Sequence, residues 1–169
     1  MTITPHLLAS AAVASATTNN IYVAFLLGFL SHFILDTIPH LDPGTFHHVR
    51  LPGYKKEIDL ETIHAEDKPW PAWIYAFVVF EFVVIWTIVI LLFKNRPNFP
   101  VIVAGGLGGI FVDVMDNPVF QSYLRYPILK QIHWFHHRVH HDLDPKKWYL
   151  GLPIQLIIIG GALWYLLKY

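Results

Sequence analysis

Long apolar runs alternate with short polar segments along this chain, and the lengths of the runs predict helices that cross a membrane. Residues 71–93 and 149–167 are long enough to span a hydrocarbon core of roughly 30 Å. A third run covers residues 20–38, and a shorter fourth run covers residues 98–115. The pattern therefore predicts an all-α integral membrane protein with about four transmembrane helices.

Two further helices complete the predicted fold. Pro5 is typical of a helix start, and the alanine-rich helix that ends near residue 16 spans only about 18 Å, too short to cross a membrane unaided. Polar residues 17–20 form a turn, so residues 5–38 make a helical hairpin. Pro127 begins or kinks a helix in which histidines and apolar side chains form neighbouring stripes. Such a helix is expected to lie on the membrane surface with its histidines turned toward the bundle.

These elements belong to one membrane-embedded helical domain, residues 1–169. Residues 43–70 are predicted to form a polar loop or lid, and residues 118–148 an interfacial segment rich in histidine. Four glycines in the fourth run have the small-residue spacing that allows helices to pack closely, namely Gly105, Gly106, Gly108 and Gly109.

The composition narrows the chemistry that the chain can perform. Hydrophobic residues make up 54% of it, and the 12 Lys and Arg balance the 12 Asp and Glu, so nothing points to a nucleic-acid partner. The absence of cysteine excludes disulfides and thiolate metal sites. A metal would have to bind His, Asp, Glu or backbone oxygen, ligands that suit zinc, iron or manganese better than copper(I). The 11 histidines in so apolar a chain are therefore the feature to explain.

The third run ends with four side chains of the metal-ligand type, His32, Asp36, His40 and Asp42. His32 and Asp36 are four residues apart, so they lie on one face of a helix. Burying them is costly unless they form a pair or bind a metal. A satisfied buried pair followed by a turn is the simpler interpretation, but few apolar helices end with so many ligands. We therefore favour a metal site at the membrane edge.

A second cluster lies in the segment after Pro127. His133, His136, His137 and His140 share one stripe of a helix, with His141 at its margin. A pH-sensitive helix, or one that binds anionic lipid, is the alternative interpretation. Three other histidines lie in the polar loop, where a solvated surface position is favoured over a lid role: His47, His48 and His64.

Three acidic residues are also candidates. Asp113 and Asp116 close the fourth run, where a helix C-terminus is unfavourable for an acid, so a countercharge such as a metal is favoured over a plain helix end. Glu81 lies in the middle of an apolar run. It is either a protonated carboxyl group in a helix contact or a buried partner of the site.

The predicted topology places all 11 histidines on one side of the membrane. The same side carries nine of the 12 cations: Arg50, Lys55, Lys56, Lys68, Arg125, Lys130, Arg138, Lys146 and Lys147. The opposite side carries only Lys94, Arg96 and Lys168. Because Lys and Arg concentrate in cytoplasmic loops, the histidine side is predicted to face the cytoplasm.

Three segments resemble the small bacterial membrane-bound metal-dependent hydrolase families, some of which are compared with zinc-dependent phospholipases C. They are the run Thr4-Pro5-His6-Leu7-Leu8-Ala9, the stretch from Gly28 to Asp42 with its HxxxDxxPHxD pattern, and Phe135-His136-His137-Arg138. The resemblance implies His6, His32, Asp36 and His40 as metal ligands. It also implies that Asp113, Asp116 and the late histidines close the site.

The sequence thus predicts a multi-pass metal-dependent hydrolase of a bacterial inner membrane that acts on a phosphoester or ester of an amphiphilic or lipid substrate. The expected cofactor is a divalent metal, zinc above iron, with one to two or more ions. His133 or His137 is expected to join the ligands of the first cluster. Asp113 or Asp116 is expected to act as a bridging ligand or as the general base.

Two other functions remain open. The spacings His133-x-x-His136-His137 and His137-x-x-His140-His141 match the HxxHH boxes of membrane di-iron hydroxylases and desaturases. A non-enzymatic protein is the third possibility, either one that binds or transports a metal, with Glu81 on the transport pathway, or a pH-responsive membrane scaffold.

Overall fold

The computed structural model describes residues 2–41, 72–115, 126–141, 143 and 145–169. These residues form six helices and no β-strand, which confirms the all-α prediction for this part of the chain. The helices are α1 (Ile3–Thr17), α2 (Ile21–Asp36), α3 (Ala72–Phe93), α4 (Phe99–Met115), α5 (Pro127–Val139) and α6 (Trp148–Lys168), with a single 3-10 turn, Pro145–Lys147, before α6.

The short N-terminal helix α1 lies at the centre of the bundle. It packs against α2, α3, α4 and α6. Leu7, Leu8, Ala11 and Ala14 are fully buried along its length. A helix that is too short to cross a membrane unaided is thus enclosed by longer neighbours, and it carries His6 into the interior of the bundle.

Glycines allow α4 to approach both α1 and α2 closely, as their spacing predicts. A Cβ atom at Gly28 would overlap the carbonyl oxygen of Gly105, and one at Gly108 would overlap the carbonyl oxygen of Phe25. A Cβ atom at Gly109 would overlap the side chain of Ser10. The backbones therefore meet directly, and this contact sets the distance between α4 and the residues at the ends of α1 and α2.

Polar contacts cap the start of α2 and hold α1 against α2. The side chain of Asn20 accepts hydrogen bonds from the backbone N–H groups of Tyr22 and Val23 and so caps the start of α2. Deeper in the hairpin, the hydroxyl oxygens of Ser10 and Ser31 lie 2.6 Å apart. Because Ser10 is one turn from His6 and Ser31 precedes His32, this contact brings the two histidines side by side.

Two of the described helices, α3 and α6, are long and apolar enough to span a membrane by length and composition. The helices α2 and α4 are also apolar but have only 16 and 17 residues. Large hydrophobic side chains cover the outside of the bundle, and Phe80, Leu91 and Ile157 are 66%, 66% and 73% exposed. An exposed apolar surface of this extent is characteristic of a protein that meets lipid or a partner.

Candidate metal centre

A buried group of histidines and carboxylates lies where the start of α1 meets the ends of α2 and α4. Its central residue is Asp36, the last residue of α2, whose side chain is fully buried. His6, His32 and His40 are also fully buried, and His136 is 5% exposed. The site therefore forms from helices that are far apart in the sequence and excludes most solvent.

Five histidine nitrogens surround the carboxylate of Asp36. The Nε2 atoms of His136 and His32 lie 2.8 Å and 3.0 Å from Oδ2. The Nε2 atom of His6 lies 3.1 Å from Oδ1, and those of His40 and His140 each lie 3.8 Å from the same oxygen. One carboxylate can balance the charge of only one imidazolium, so it cannot neutralise five protonated rings in a buried site.

Backbone carbonyls fix which nitrogen of two histidines carries the proton. Nδ1 of His32 lies 2.7 Å from the carbonyl oxygen of Gly109, and Nδ1 of His40 lies 2.7 Å from that of Ile38. A carbonyl oxygen can only accept, so each Nδ1–H donates. In the neutral ring, Nε2 then presents its lone pair to the cluster, which is the usual arrangement of a metal-binding histidine and its supporting hydrogen bond.

Lone pairs that face a carboxylate at this distance repel it unless a cation lies between them. Nε2 of His32 and both ring nitrogens of His6 are buried and make no hydrogen bond to the described residues. Ligand atoms about 2.1 Å from a tetrahedral zinc ion lie about 3.4 Å from one another, close to the separations around Asp36. The donor set and its spacing therefore fit a divalent metal.

Three overlapping groups in the described residues could each hold an ion. They are His6 with His32 and Asp36, His32 with Asp113 and His136, and Asp36 with His136 and His140. Within each group the ligand atoms all lie within 4.8 Å of one another. Asp113 stands beside this cluster, with Oδ1 3.8 Å from Nε2 of His32. A buried His and Asp cluster that could hold a metal is thus present, as the sequence predicts.

Backbone hydrogen bonds join the segment after α2 to the segment after α5. The N–H of His141 donates to the carbonyl oxygen of Asp36, and the N–H of His40 donates to that of His141. The N–H of Leu143 in turn donates to the carbonyl oxygen of His40. This backbone junction places His40 against His140, with their Nε2 atoms 3.2 Å apart.

The protonation of His40 reflects this environment. Burial, followed by the charges of the chain's N-terminus and of His140, lowers the pKa of His40 to about 3, against the opposing effects of the hydrogen bond to Ile38 and of the Asp36 carboxylate. The ring is therefore neutral at physiological pH. A neutral imidazole is the form that binds a metal.

The structure brings most of the predicted site residues together: His6, His32, Asp36, His40, Asp113, His136 and His140. His133 is buried and packs on the exposed ring of His137, with ring centroids 4.3 Å apart, and neither belongs to the three groups of described residues above. His141 is exposed and enters the site through its backbone. For these three histidines, metal binding stays a prediction.

Several predicted residues lie outside the described part of the chain. They are Asp42, Asp116, His47, His48 and His64, together with the predicted polar loop at 43–70 and residues 118–125 of the interfacial segment. Their proposed roles stay predictions.

Glu81 makes a helix contact next to the site. Its Oε1 accepts a hydrogen bond of 2.8 Å from the backbone N–H of Thr4, in the first turn of α1. Thr2, the N-cap residue of α1, makes no side-chain capping bond. Glu81 therefore caps the helix that carries His6 two residues later, a link that sequence analysis left open.

The supporting carbonyls of Gly109 and Ile38 were not among the residues predicted from the sequence. Every residue carries a carbonyl, so no residue type marks these two positions. The HxxxD pattern could identify the ligands, but only the packing of α4 against α2 reveals the acceptor for His32.

Comparisons of the chain with protein-family models, with curated proteins and with solved structures found no match.

Proposed function

We propose that this chain is a membrane-embedded, metal-dependent hydrolase that cleaves a phosphoester or ester of an amphiphilic substrate. The observation that carries the proposal is the convergence of histidine nitrogens on the buried carboxylate of Asp36. Zinc is the proposed metal, because histidine nitrogen and carboxylate oxygen are its common ligands and thiolates are absent from the chain.

The chemistry follows from the donors and from the acid beside them. A bound divalent ion would polarise a phosphoryl or carbonyl oxygen and lower the pKa of water. Asp113 lies at the edge of the cluster, and its buried Oδ2 makes no hydrogen bond to the described residues. It is therefore placed to accept a proton from an attacking water, as a general base does.

The position of the centre suits a substrate held in a membrane. Gln155 of α6 donates a hydrogen bond to the carbonyl oxygen of Leu41, next to the site, so the centre lies about two turns below the start of α6. Trp148 and Tyr149 at that start are 56% and 57% exposed, as expected for side chains in a membrane interface. An amphiphile with its polar group at this depth could reach the metal ligands.

The proposal includes the arrangement in the membrane. We infer that α2 and α4 cross together with α3 and α6, and that the metal centre faces the cytoplasm of a bacterial inner membrane. The apolar exteriors of these helices and the excess of cations on the histidine side support this arrangement.

Metal analysis and an esterase assay test the proposal. Protein purified in detergent without chelator should contain zinc and should hydrolyse a long-chain phosphate or carboxylic ester in mixed micelles. Asp36→Asn should lose most of the metal and at least about 100-fold of the activity, a loss in the range seen when groups that support a metal site are removed.

The control is His64→Ala, which removes a histidine that sequence analysis places on the solvated surface of the polar loop. It should keep both metal and activity. Metal-free protein after a chelator-free preparation would reject the proposal. Iron with an oxygen-dependent product would replace the hydrolase with the oxygenase alternative.

A further inference from the structure

The two carboxylate oxygens of Asp36 face different histidines. Oδ1 faces the Nε2 atoms of His6, His40 and His140, at 3.1, 3.8 and 3.8 Å. Oδ2 faces the Nε2 atoms of His32 and His136, at 3.0 and 2.8 Å. The carboxylate therefore separates two sets of nitrogen donors, and each set has an oxygen of its own.

The number of donors exceeds what one ion can use. Among the described residues, five nitrogens and the two oxygens of Asp36 surround the centre, whereas a zinc ion in a protein binds four ligands in a closed site and three in a site that leaves a position open. The Oδ1 set offers one oxygen and three nitrogens, which makes four. In the part of the chain that the structure describes, the Oδ2 set offers one oxygen and two nitrogens, which makes three, and a carboxylate oxygen of Asp113 lies within 4.8 Å of both nitrogens.

We propose that the centre binds two divalent ions with Asp36 as the bridging carboxylate: a closed site made by Oδ1, His6, His40 and His140, and an open site made by Oδ2, His32 and His136. Asp113 stands beside the open site, since its Oδ1 lies 3.8 Å from Nε2 of His32. The open position and the neighbouring carboxylate belong to the same side of Asp36, as a site for water and substrate requires.

The charge of such a centre narrows the substrate class, an inference that rests on the proposed hydrolase function. Two divalent ions would bring four positive charges, and the acids that the structure describes at the centre, Asp36 and Asp113, would bring two negative charges. The remaining positive charge favours an anionic reacting group. Two adjacent ions also suit in-line displacement at phosphorus, because they stabilise both the attacking and the leaving oxygen. The substrate is thus an amphiphilic phosphate ester rather than a carboxylic ester.

Metal titration tests the bridged centre without any assay of activity. Protein stripped of metal and then titrated with Mn²⁺ should bind two ions per chain. Its electron paramagnetic resonance spectrum should show exchange coupling, because one carboxylate joins the two ions. One ion per chain at saturation, or two ions without coupling, would overturn the proposal.

Variants on each side of Asp36 assign the two sites. The double variant His6→Ala, His40→Ala leaves Oδ1 with one nitrogen and should keep one uncoupled ion, in the open site. His136→Ala leaves Oδ2 with one nitrogen and should keep one uncoupled ion, in the closed site. Adding inorganic phosphate should change the Mn²⁺ spectrum of the double variant but leave that of His136→Ala unchanged. Equal responses to phosphate would contradict the assignment of open and closed sites. The spectrum of the wild-type protein tests whether Asp36 bridges the two ions, even if a variant fails to fold.

The substrate class is tested with two esters that carry the same alkyl chain. Phosphate ester hydrolysis should exceed carboxylic ester hydrolysis by at least about 100-fold, and the reverse order would overturn this part of the inference. Two coupled ions in a protein that cleaves neither ester would uphold the bridged centre and reject the hydrolase. Hydrolysis by a protein with a single ion would reject the bridge and uphold the hydrolase.

Discussion

At the scale of single residues, the site depends on where each imidazole holds its proton. The carbonyl oxygens of Gly109 and Ile38 accept from Nδ1 of His32 and His40, so Nε2 of both rings is directed at the cluster. The cost of such an arrangement without a metal is repulsion between lone pairs and carboxylate oxygens in a buried place. A bound cation turns the same contacts into attraction.

His40 makes the metal-free protein sensitive to acid. Its pKa is about 3 in the folded protein, against 6.5 for an unperturbed histidine. Between pH 6.5 and pH 3, the unfolded chain therefore binds a proton at His40 that the folded chain does not bind. The free energy of unfolding should therefore fall as the pH drops from 6.5 toward 3, and His40 should contribute nothing above that window.

The measurement is thermal unfolding of chelator-treated protein in detergent at several pH values. His40→Asn keeps a donor near the carbonyl of Ile38 but cannot titrate. Its stability should fall less steeply than that of the wild type, by up to about 1.4 kcal/mol per pH unit. Identical slopes would show that His40 does not have a depressed pKa.

At the scale of helices, close backbone contacts and a helix cap supplied by a neighbouring helix hold the candidate ligands in place. The glycines of α4 let it lie against α1 and α2, which brings the carbonyl of Gly109 to His32. Glu81 of α3 accepts from the first turn of α1 and so fixes the helix that carries His6. The glycine contacts and the Glu81 cap therefore affect the site although none of these residues belongs to the three ligand groups described above.

Gly108→Ala should destabilise the bundle, because its Cβ atom would meet the backbone of α2 at Phe25 and Phe29. We expect a loss of about 1–3 kcal/mol, or more if the backbones cannot separate. The matched control is Gly160→Ala in α6, where a Cβ atom meets nothing within 4 Å. Thermal unfolding in one detergent compares the two variants, and equal stability would contradict the close contact between α2 and α4.

Glu81→Ala should weaken metal binding without removing a ligand. It leaves the N–H of Thr4 without its acceptor, at a cost of about 1–3 kcal/mol in a partly buried place, and loosens the start of α1. Glu81→Gln keeps a carbonyl oxygen as acceptor and should retain most of the affinity. Metal affinity measured by competition with a chelator separates the two variants. Equal affinity in both would assign Glu81 another role.

The helices could be predicted from the sequence more completely than the site. Hydrophobic run length predicts α2, α3, α4 and α6, and the HxxxD spacing places His32 and Asp36 on one face. The central position of α1 could not be predicted, because an alanine-rich helix shows no preferred face and only its neighbours reveal that it is buried. The contact of His136 with Asp36 joins residues 100 positions apart, and local patterns carry no information about such a pair.

At the scale of the whole molecule, the cluster around Asp36 lies at one end of a helical bundle whose exterior is largely apolar. Apolar side chains cover α3 and α6, while the polar cluster is enclosed around Asp36. In the proposed membrane arrangement, the two ends of α6 lie on opposite sides, with Lys147 near the centre and Lys168 far from it.

The chain lacks cysteine, so single cysteines can report this arrangement. In intact cells, Lys94→Cys, at the end of α3, should react with a membrane-impermeant maleimide applied from outside. Lys147→Cys should react only after the inner membrane is opened. The two positions exchange their behaviour if the orientation is inverted, and neither reacts before the membrane is opened if the bundle lies on the cytoplasmic side without spanning.

The backbone junction between the segments after α2 and α5 has a consequence for biosynthesis. His6, His32, Asp36 and His40 leave the ribosome about 100 residues before His136 and His140. The nascent chain therefore carries half of the His and Asp cluster while the second half is still being made. If the cluster binds metal as proposed, stable loading must wait until the junction forms, so that metal insertion would be one of the last events in the maturation of this protein.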